Sequence, residues 1–172
     1  MLTPHELYLE EKMNISVLKI LADNARCSVE DISVMTGLTC EQVNNDIKEL
    51  EGAGLIRGYK AVIDWEKLDN AYVSAVIELN VIPQDKYGFE QVAENIMKYK
   101  EVETVYLMSG SYDLCVIVKG KTFHEVANFV ARELATKHEI TSTATHFVMR
   151  RYKELDVELV NVQKDEREAY SI

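Results

Sequence analysis

The sequence predicts an α+β chain in two parts, an N-terminal helix-turn-helix with a wing or linker strand and a C-terminal ferredoxin-like β-α-β-β-α-β unit. Three observations predict it. Two stretches, Ser28-Val29-Glu30-Asp31 and Thr39-Cys40-Glu41-Gln42, place a hydroxyl three residues before an acid or amide, the pattern of a capping box, with Gly37 as the turn between them. From Tyr72 onward apolar residues recur at alternate positions, the strand period, where before they recurred at helical steps. Strand and helix patterns then follow one another from Tyr72 to Arg150 in the split β-α-β order, which folds as a four-stranded antiparallel sheet with two helices on one face.

Taken in order, Thr3-Pro4-His5-Glu6 combines an N-cap, a proline at the first helical position and a reciprocal Glu, so a helical arm is expected from Thr3 toward Lys12. Ile15, Leu18, Leu21 and Ala22 mark a core helix. Ile32 and Met35, then Val43, Ile47 and Leu50, give each helix of the following pair an apolar stripe, and Gly54 ends the second. Leu55 to Asp64 has strand-like composition, and a helical turn is expected near Trp65 to Leu68. Val73, Ala75, Ile77, Leu79 and Val81 form the better-buried face of a strand that Pro83 ends. Phe89, Val92, Ala93, Ile96 and Met97 read as a helix; Val102 to Met108 and Tyr112 to Val118 read as strands joined at Ser109-Gly110-Ser111. Phe123, Val126, Ala127, Val130, Ala131 and Leu134 form a helix capped by Thr122, and Ile140 to Met149 is the last strand. The sheet face away from the helices is uncovered in a monomer, with Val76, Met108, Cys115 and Ile117 directed there, so a partner sheet is its natural cover. The domain boundaries expected are 1–64, a linker at 65–71, a ferredoxin-like domain at 72–153 and a charged tail at 154–172.

Composition narrows the function classes. The net charge of -10 is shared evenly between residues 1–68 and 69–172, and the stretch from Ser28 to Ile47 holds no Lys or Arg but four acids, Glu30, Asp31, Glu41 and Asp46. Nucleic-acid affinity comes largely from cations neutralising phosphates, so a local basic patch and dimerisation are needed for DNA binding. No apolar run approaches the ~20 residues of a membrane-spanning helix, and the opening residues lack a signal-peptide pattern, so no membrane partner and a cytoplasmic location are expected. Cys27, Cys40 and Cys115 are odd in number and widely spaced, which suits buried or half-buried thiols better than disulfides or zinc. His5, His124, His138 and His146 are isolated, and no nucleophile elbow, phosphate loop or dinucleotide fingerprint is present. No cofactor, metal or enzymatic activity is expected.

Three stretches carry a family resemblance. They are the helix-turn-helix with Lys48-Glu49-Leu50-Glu51-Gly52-Ala53-Gly54-Leu55-Ile56-Arg57-Gly58-Tyr59, the hairpin Met108-Ser109-Gly110-Ser111-Tyr112-Asp113, and Thr141-Ser142-Thr143-Ala144-Thr145-His146-Phe147. Over roughly residues 14 to 153 the chain resembles the Lrp/AsnC (feast/famine) transcriptional regulators. That resemblance implies a winged helix-turn-helix joined to a ferredoxin-like ligand-sensing (RAM) domain, homodimers that assemble further into octamers, double-stranded DNA as partner, and an amino acid or related metabolite as effector. Two departures stand out: Asn45, Asp46 and Glu49 occupy positions where the family usually carries Arg or Lys, and Ser111 replaces a typical Asp.

The candidate DNA-binding residues are Thr39, Gln42, Asn44, Asn45, Lys48, Arg57 and Lys60, since amides can pair with adenine edges and the cations can contact phosphates. Alternatively Asn44, Asn45 and Asp46 are only a solvated helix face. By resemblance the effector candidates are Met108, Gly110, Ser111, Tyr112, Asp113, Thr141, Ser142, Thr143 and Thr145, with Asp113 as the carboxylate for an effector ammonium. Turn chemistry and β-favouring threonines would explain the same residues without a ligand. The hairpin and the last strand are expected to meet only through contacts between subunits. Two further readings remain open: a sensor or assembly protein whose helix-turn-helix mediates protein contacts, and an enzyme similar to the siroheme decarboxylases, for which His146 is the residue to test.

Overall fold

The structure, a computed structural model, describes residues 14–68, 71–82 and 88–160. The expected helix from Thr3 to Lys12, the strand-ending Pro83 and most of the charged tail lie outside these residues. The chain divides into two compact units between Ala61 and Val62.

The first unit holds α1 (Ile15–Asp23), α2 (Val29–Thr36) and α3 (Cys40–Gly52). Their starts follow the sequence punctuation, with one difference. Thr39 and Gln42 make both halves of a capping box: the Gln42 amide donates to Thr39 Oγ1 at 3.2 Å and the Thr39 amide to Gln42 Oε1 at 2.8 Å. At α2 the Asp31 amide donates to Ser28 Oγ at 3.0 Å, but the Asp31 carboxylate accepts the Ser28 hydroxyl at 2.7 Å instead of the Ser28 amide. Asp is one methylene shorter than Glu, so the reciprocal half of the expected box is missing. Gly37 ends α2 at φ 74, and Gly54 follows α3 at φ 71, where the Leu55 and Ile56 amides both donate to Leu50 O.

Val17, Leu21, Ile32, Val43 and Leu50 form the core of this unit. Met35 does not join it. α2 is only 8 residues long and buries Ile32 alone, so Met35 stays 66% exposed and the expected stripe on this helix is one residue wide. Val17 and Leu21 are the buried residues of α1, while Ile15 is exposed. The expected strand over Leu55 to Asp64 is also absent, because a strand needs a ladder partner and none is paired with it among the described residues.

The second unit opens with a short 3₁₀ turn, Trp65–Lys67, and continues as β1 (Val73–Val81), α4 (Glu90–Met97), β2 (Val102–Leu107), β3 (Leu114–Gly120), α5 (Phe123–Phe129) and β4 (Ile140–Phe147). A C-terminal hairpin of β5 (Lys153–Glu154) and β6 (Val157–Glu158) follows. The sheet order β2-β3-β1-β4, antiparallel throughout, is the ferredoxin-like arrangement predicted. Cross-strand register sorts the two faces. Leu79 pairs with Leu114, Ile77 with Val116 and Ala75 with Val118, and these residues join Val92 and Ile96 of α4 and Val126 and Phe129 of α5 in one core. Each such aliphatic side chain contributes about 1.5–3 kcal/mol by burial.

Helix α5 continues through a π-type turn, Val130–Leu134, in which the Ala135 amide donates to Val130 O five residues back. The buried residues along the whole helix are Val126, Phe129, Val130 and Leu134. Val126, Val130 and Leu134 of the expected stripe are buried, whereas Phe123, Ala127 and Ala131 are exposed. Met97 of α4 is exposed as well. No helix among the described residues is long and apolar enough to cross a membrane.

Candidate DNA-contacting and effector sites

In the first unit, Gln42, Asn45, Lys48 and Glu49 lie on the exposed side of α3, opposite the buried Val43 and Leu50. Gln42 uses its carbonyl in the cap, which leaves its amide donors free to point outward. Asn44 donates to Cys40 O at 2.9 Å, a bond within the helix, so Asn45 is the freer of the two amides. Arg57 folds back, donating from Nε to Gly54 O at 2.8 Å, and its remaining guanidinium donors face solvent together with the exposed Lys60. The Tyr59 hydroxyl donates to Glu51 at 3.0 Å; burial first, then this neighbouring carboxylate, raises its pKa above the ordinary value. Thr39 caps α3 and is exposed. Cys40, expected to be at least half-buried, is exposed at the start of α3, while Cys27 is half-buried and Cys115 buried.

In the second unit the hairpin and the start of β4 flank the same end of β1, one strand apart within a single subunit. Asp113 is the centre of the hairpin side. Its amide donates to Leu79 O at 2.9 Å, its carbonyl accepts the Met108 amide at 2.8 Å, and its carboxylate accepts the Val81 amide at 2.8 Å. On the other side, Thr141 donates to Asn80 O at 3.1 Å and the Asn80 side chain donates to Ser142 Oγ at 2.8 Å, at the bulge where the β1–β4 register shifts. Gly110, at φ 154, and Ser111 are exposed at the hairpin tip, and Met108 is 39% exposed. Register separates the threonines from this group: Thr143 pairs with Leu79 and Thr145 with Ile77, on the helix-covered side of the sheet, whereas Ser142 pairs with Asn80 on the open side.

The open face carries two cross-strand rows, Tyr106–Cys115–Glu78–Ala144 and Thr104–Ile117–Val76–His146. Val76, Cys115 and Ile117 lie on this face as expected, whereas Met108, also expected there, lies beyond the end of β2 and in neither row; Glu78 and Tyr106 are further members, and the alternation along β1 already put Glu78 on the side opposite Ile77. His146 is not isolated, because its Nε2 lies 3.4 Å from Glu78 Oε1. Burial pushes the Cys115 thiol up, with the Glu78 charge adding to it, and the Tyr112 phenol is raised by desolvation, then by Cys115 and Glu78. No group of three or more His, Cys, Asp or Glu side chains converges among the described residues in a way that could hold a metal ion.

Comparison with known proteins gives this geometry its relatives. The sequence model of the Lrp/AsnC ligand binding domain matches residues 74–157. An uncharacterized HTH-type transcriptional regulator of Bacillus subtilis, YugG, is 43% identical over 138 residues, covering 80% of this chain and 83% of that one. The HTH-type transcriptional regulator FL11 of Pyrococcus horikoshii is 28% identical over 144 residues, covering 84% of this chain and 92% of that one. Among solved structures, a Neisseria meningitidis transcriptional regulator in complex with L-Met superposes with a TM-score of 0.66 at 23% identity, over 83% of this chain and 92% of that one. AsnC of E. coli superposes with a TM-score of 0.60 at 20% identity, over 79% and 89%. The two structural likenesses establish the fold.

Proposed function

The chain belongs to the Lrp/AsnC family of helix-turn-helix transcriptional regulators, and from that premise we propose that it binds double-stranded DNA sequence-specifically as a homo-oligomer and adjusts that binding to an amino acid or a related small metabolite. The observation that supports the DNA reading is the pairing of a turn fixed by Gly37 with a fully capped α3, whose outer side offers Gln42, Asn45 and Lys48 at helical spacing. An amide on such a helix reads adenine in the major groove, while Lys48, Arg57 and Lys60 supply phosphate contacts. Glu41, Asp46, Glu49 and Glu51 on the same helix oppose the phosphates, so one protomer binds weakly and a two-fold pair of helices is needed.

The open sheet face supports dimerisation. Val76, Ile117 and Tyr106 are apolar residues there that a second sheet would cover. The effector reading rests on the Ser109 to Tyr112 tip, which offers hydroxyls and free backbone donors for a carboxylate at the end of β1. Selection of bound sequences from a random DNA pool by the purified protein tests the proposal. Enrichment of a two-fold symmetric site with half-sites about one helical turn apart supports it; a pool that shows no enrichment refutes it.

A further inference from the structure

We propose that pairing of two copies through the open sheet face takes up protons at Glu78 and His146, so that mildly acidic pH tightens the dimer; this rests on the sheet-face dimerisation proposed above. His146 Nε2 lies 3.4 Å from Glu78 Oε1, across neighbouring strands β4 and β1, with the two side chains 59% and 34% exposed. The pair sits among the residues that a second sheet would cover. Val76 stands opposite His146, Ile117 follows Val76 in the same row, and Cys115 stands opposite Glu78. The chain itself covers only the other end of this face. Ser74, two residues before Val76 on the same side of β1, is 2% exposed. Beyond it the Tyr72 ring has Lys119 at 5.7 Å, Arg151 at 5.4 Å and Trp65 at 5.4 Å.

Covering this pair changes what its charges cost. A carboxylate taken out of water is costly unless a cation compensates it, and imidazole is the side chain that ordinarily changes charge between pH 5 and 8. With His146 protonated, the uncovered part of each face carries a neutral pair, and two copies can meet there despite a net charge of -10 on each chain. With His146 neutral, each copy brings an uncompensated carboxylate into the interface. The other charged or titratable groups on this side do not supply that cation. Lys119 is held by Glu103 at 2.9 Å and Arg151 by Glu154 at 3.2 Å, both at the Tyr72 end. Tyr106 and Tyr112 carry phenols, which ordinarily titrate near pH ~10, and burial, then the Glu78 charge, pushes the Cys115 thiol up. A dimer that keeps His146 protonated binds more protons than two monomers once pH passes the ordinary imidazole value of ~6.5, so association weakens as pH rises from there. Below that value monomer and dimer are both protonated at His146 and the dependence levels off. DNA binding, which needs a two-fold pair of α3 helices, should strengthen with acid in step.

Sedimentation velocity on the full chain, run over a dilution series at constant salt, tests the proposal at about pH 6 and about pH 8. The dimer dissociation constant of the parent should rise about tenfold between them. His146→Gln, whose amide can still donate to Glu78, should show no such rise and be as weak at both as the parent is at the higher pH. Glu78→Gln should also lose the rise, yet be tighter than the parent at the higher pH, because the carboxylate is what requires the proton. A merely structural contact would instead weaken in both variants. Both side chains are partly exposed, so the variants should keep the parent's circular dichroism. Ile117→Glu should abolish the dimer at both pH values. A dimer that Ile117→Glu abolishes, but whose constant does not change with pH or changes equally in His146→Gln, overturns the proton link alone. A parent that forms no dimer, or a dimer that survives Ile117→Glu, overturns the sheet-face reading and the proton link with it.

Discussion

The Asp113 carboxylate accepts the Val81 backbone amide at 2.8 Å, across the point where the β1–β4 register shifts. One of its oxygens therefore holds the end of β1 in place whether or not an effector is bound. Asp113→Ala should leave the half-buried Val81 donor without a partner and destabilise the second unit by about 1–3 kcal/mol in effector-free denaturant unfolding. Asp113→Asn, which retains an acceptor, should cost less. Unchanged effector-free stability in the alanine variant would mean that the residue serves ligand binding alone.

In the proposed DNA complex Lys48 and Arg57 would contact phosphates and Asn45 a base edge. Lys48→Ala and Arg57→Ala should each weaken binding to every DNA sequence and reduce the slope of log affinity against log salt by about 1. Asn45→Ala should instead relax preference at one base pair, by about 1–3 kcal/mol of discrimination. Fluorescence anisotropy on matched and mismatched duplexes separates the two effects. A Lys48→Ala slope equal to the parent's would remove Lys48 from the phosphate contacts.

Thr39 closes the only full capping box among the described helices. Thr39→Ala should destabilise the first unit by about 1 kcal/mol, while Thr39→Ser, which keeps the hydroxyl, should cost less. The loss is read by thermal melting, and it predicts weaker DNA binding because α3 then frays at its N-terminus.

The Cys115 thiol is raised above its ordinary value by burial, then by the Glu78 charge. The fold thus favours the neutral thiol, so its contribution is intact at neutral pH and below and is lost as pH rises through the elevated folded value. Denaturant midpoints should fall on the alkaline side of the ordinary thiol range, and Cys115→Ala should lack that component. Alkylation at neutral pH should label the exposed Cys40 well before Cys115. Faster labelling of Cys115 would contradict its burial.

The order of elements was legible from sequence because periodicity and capping are local. Alternation along β1 marked Ala75, Ile77 and Leu79 as core, and Gly37 and Gly54 marked helix ends, since each depends only on near neighbours. Features set by tertiary contact were not legible. Met35 and Phe123 fit a helical stripe yet are exposed, Met35 on a short α2 that buries Ile32 alone and Phe123 at the first position of α5. The site shows the same division. The hairpin and the β4 stretch were recognised by residue type, but register alone separates Ser142 from Thr143 and Thr145, and only the fold brings Glu78 to His146. Residues 55–64 have strand composition, but no strand pairs with them among the described residues.

The most direct test of effector-controlled DNA binding is the affinity of the purified protein for its own upstream DNA across a salt series, with and without a panel of amino acids. Tight, sequence-specific, salt-sensitive binding that one amino acid or a close relative shifts is the expected result. Absence of binding at low salt with every amino acid would contradict it, and would leave the acidic α3 as a surface for protein contacts instead of DNA.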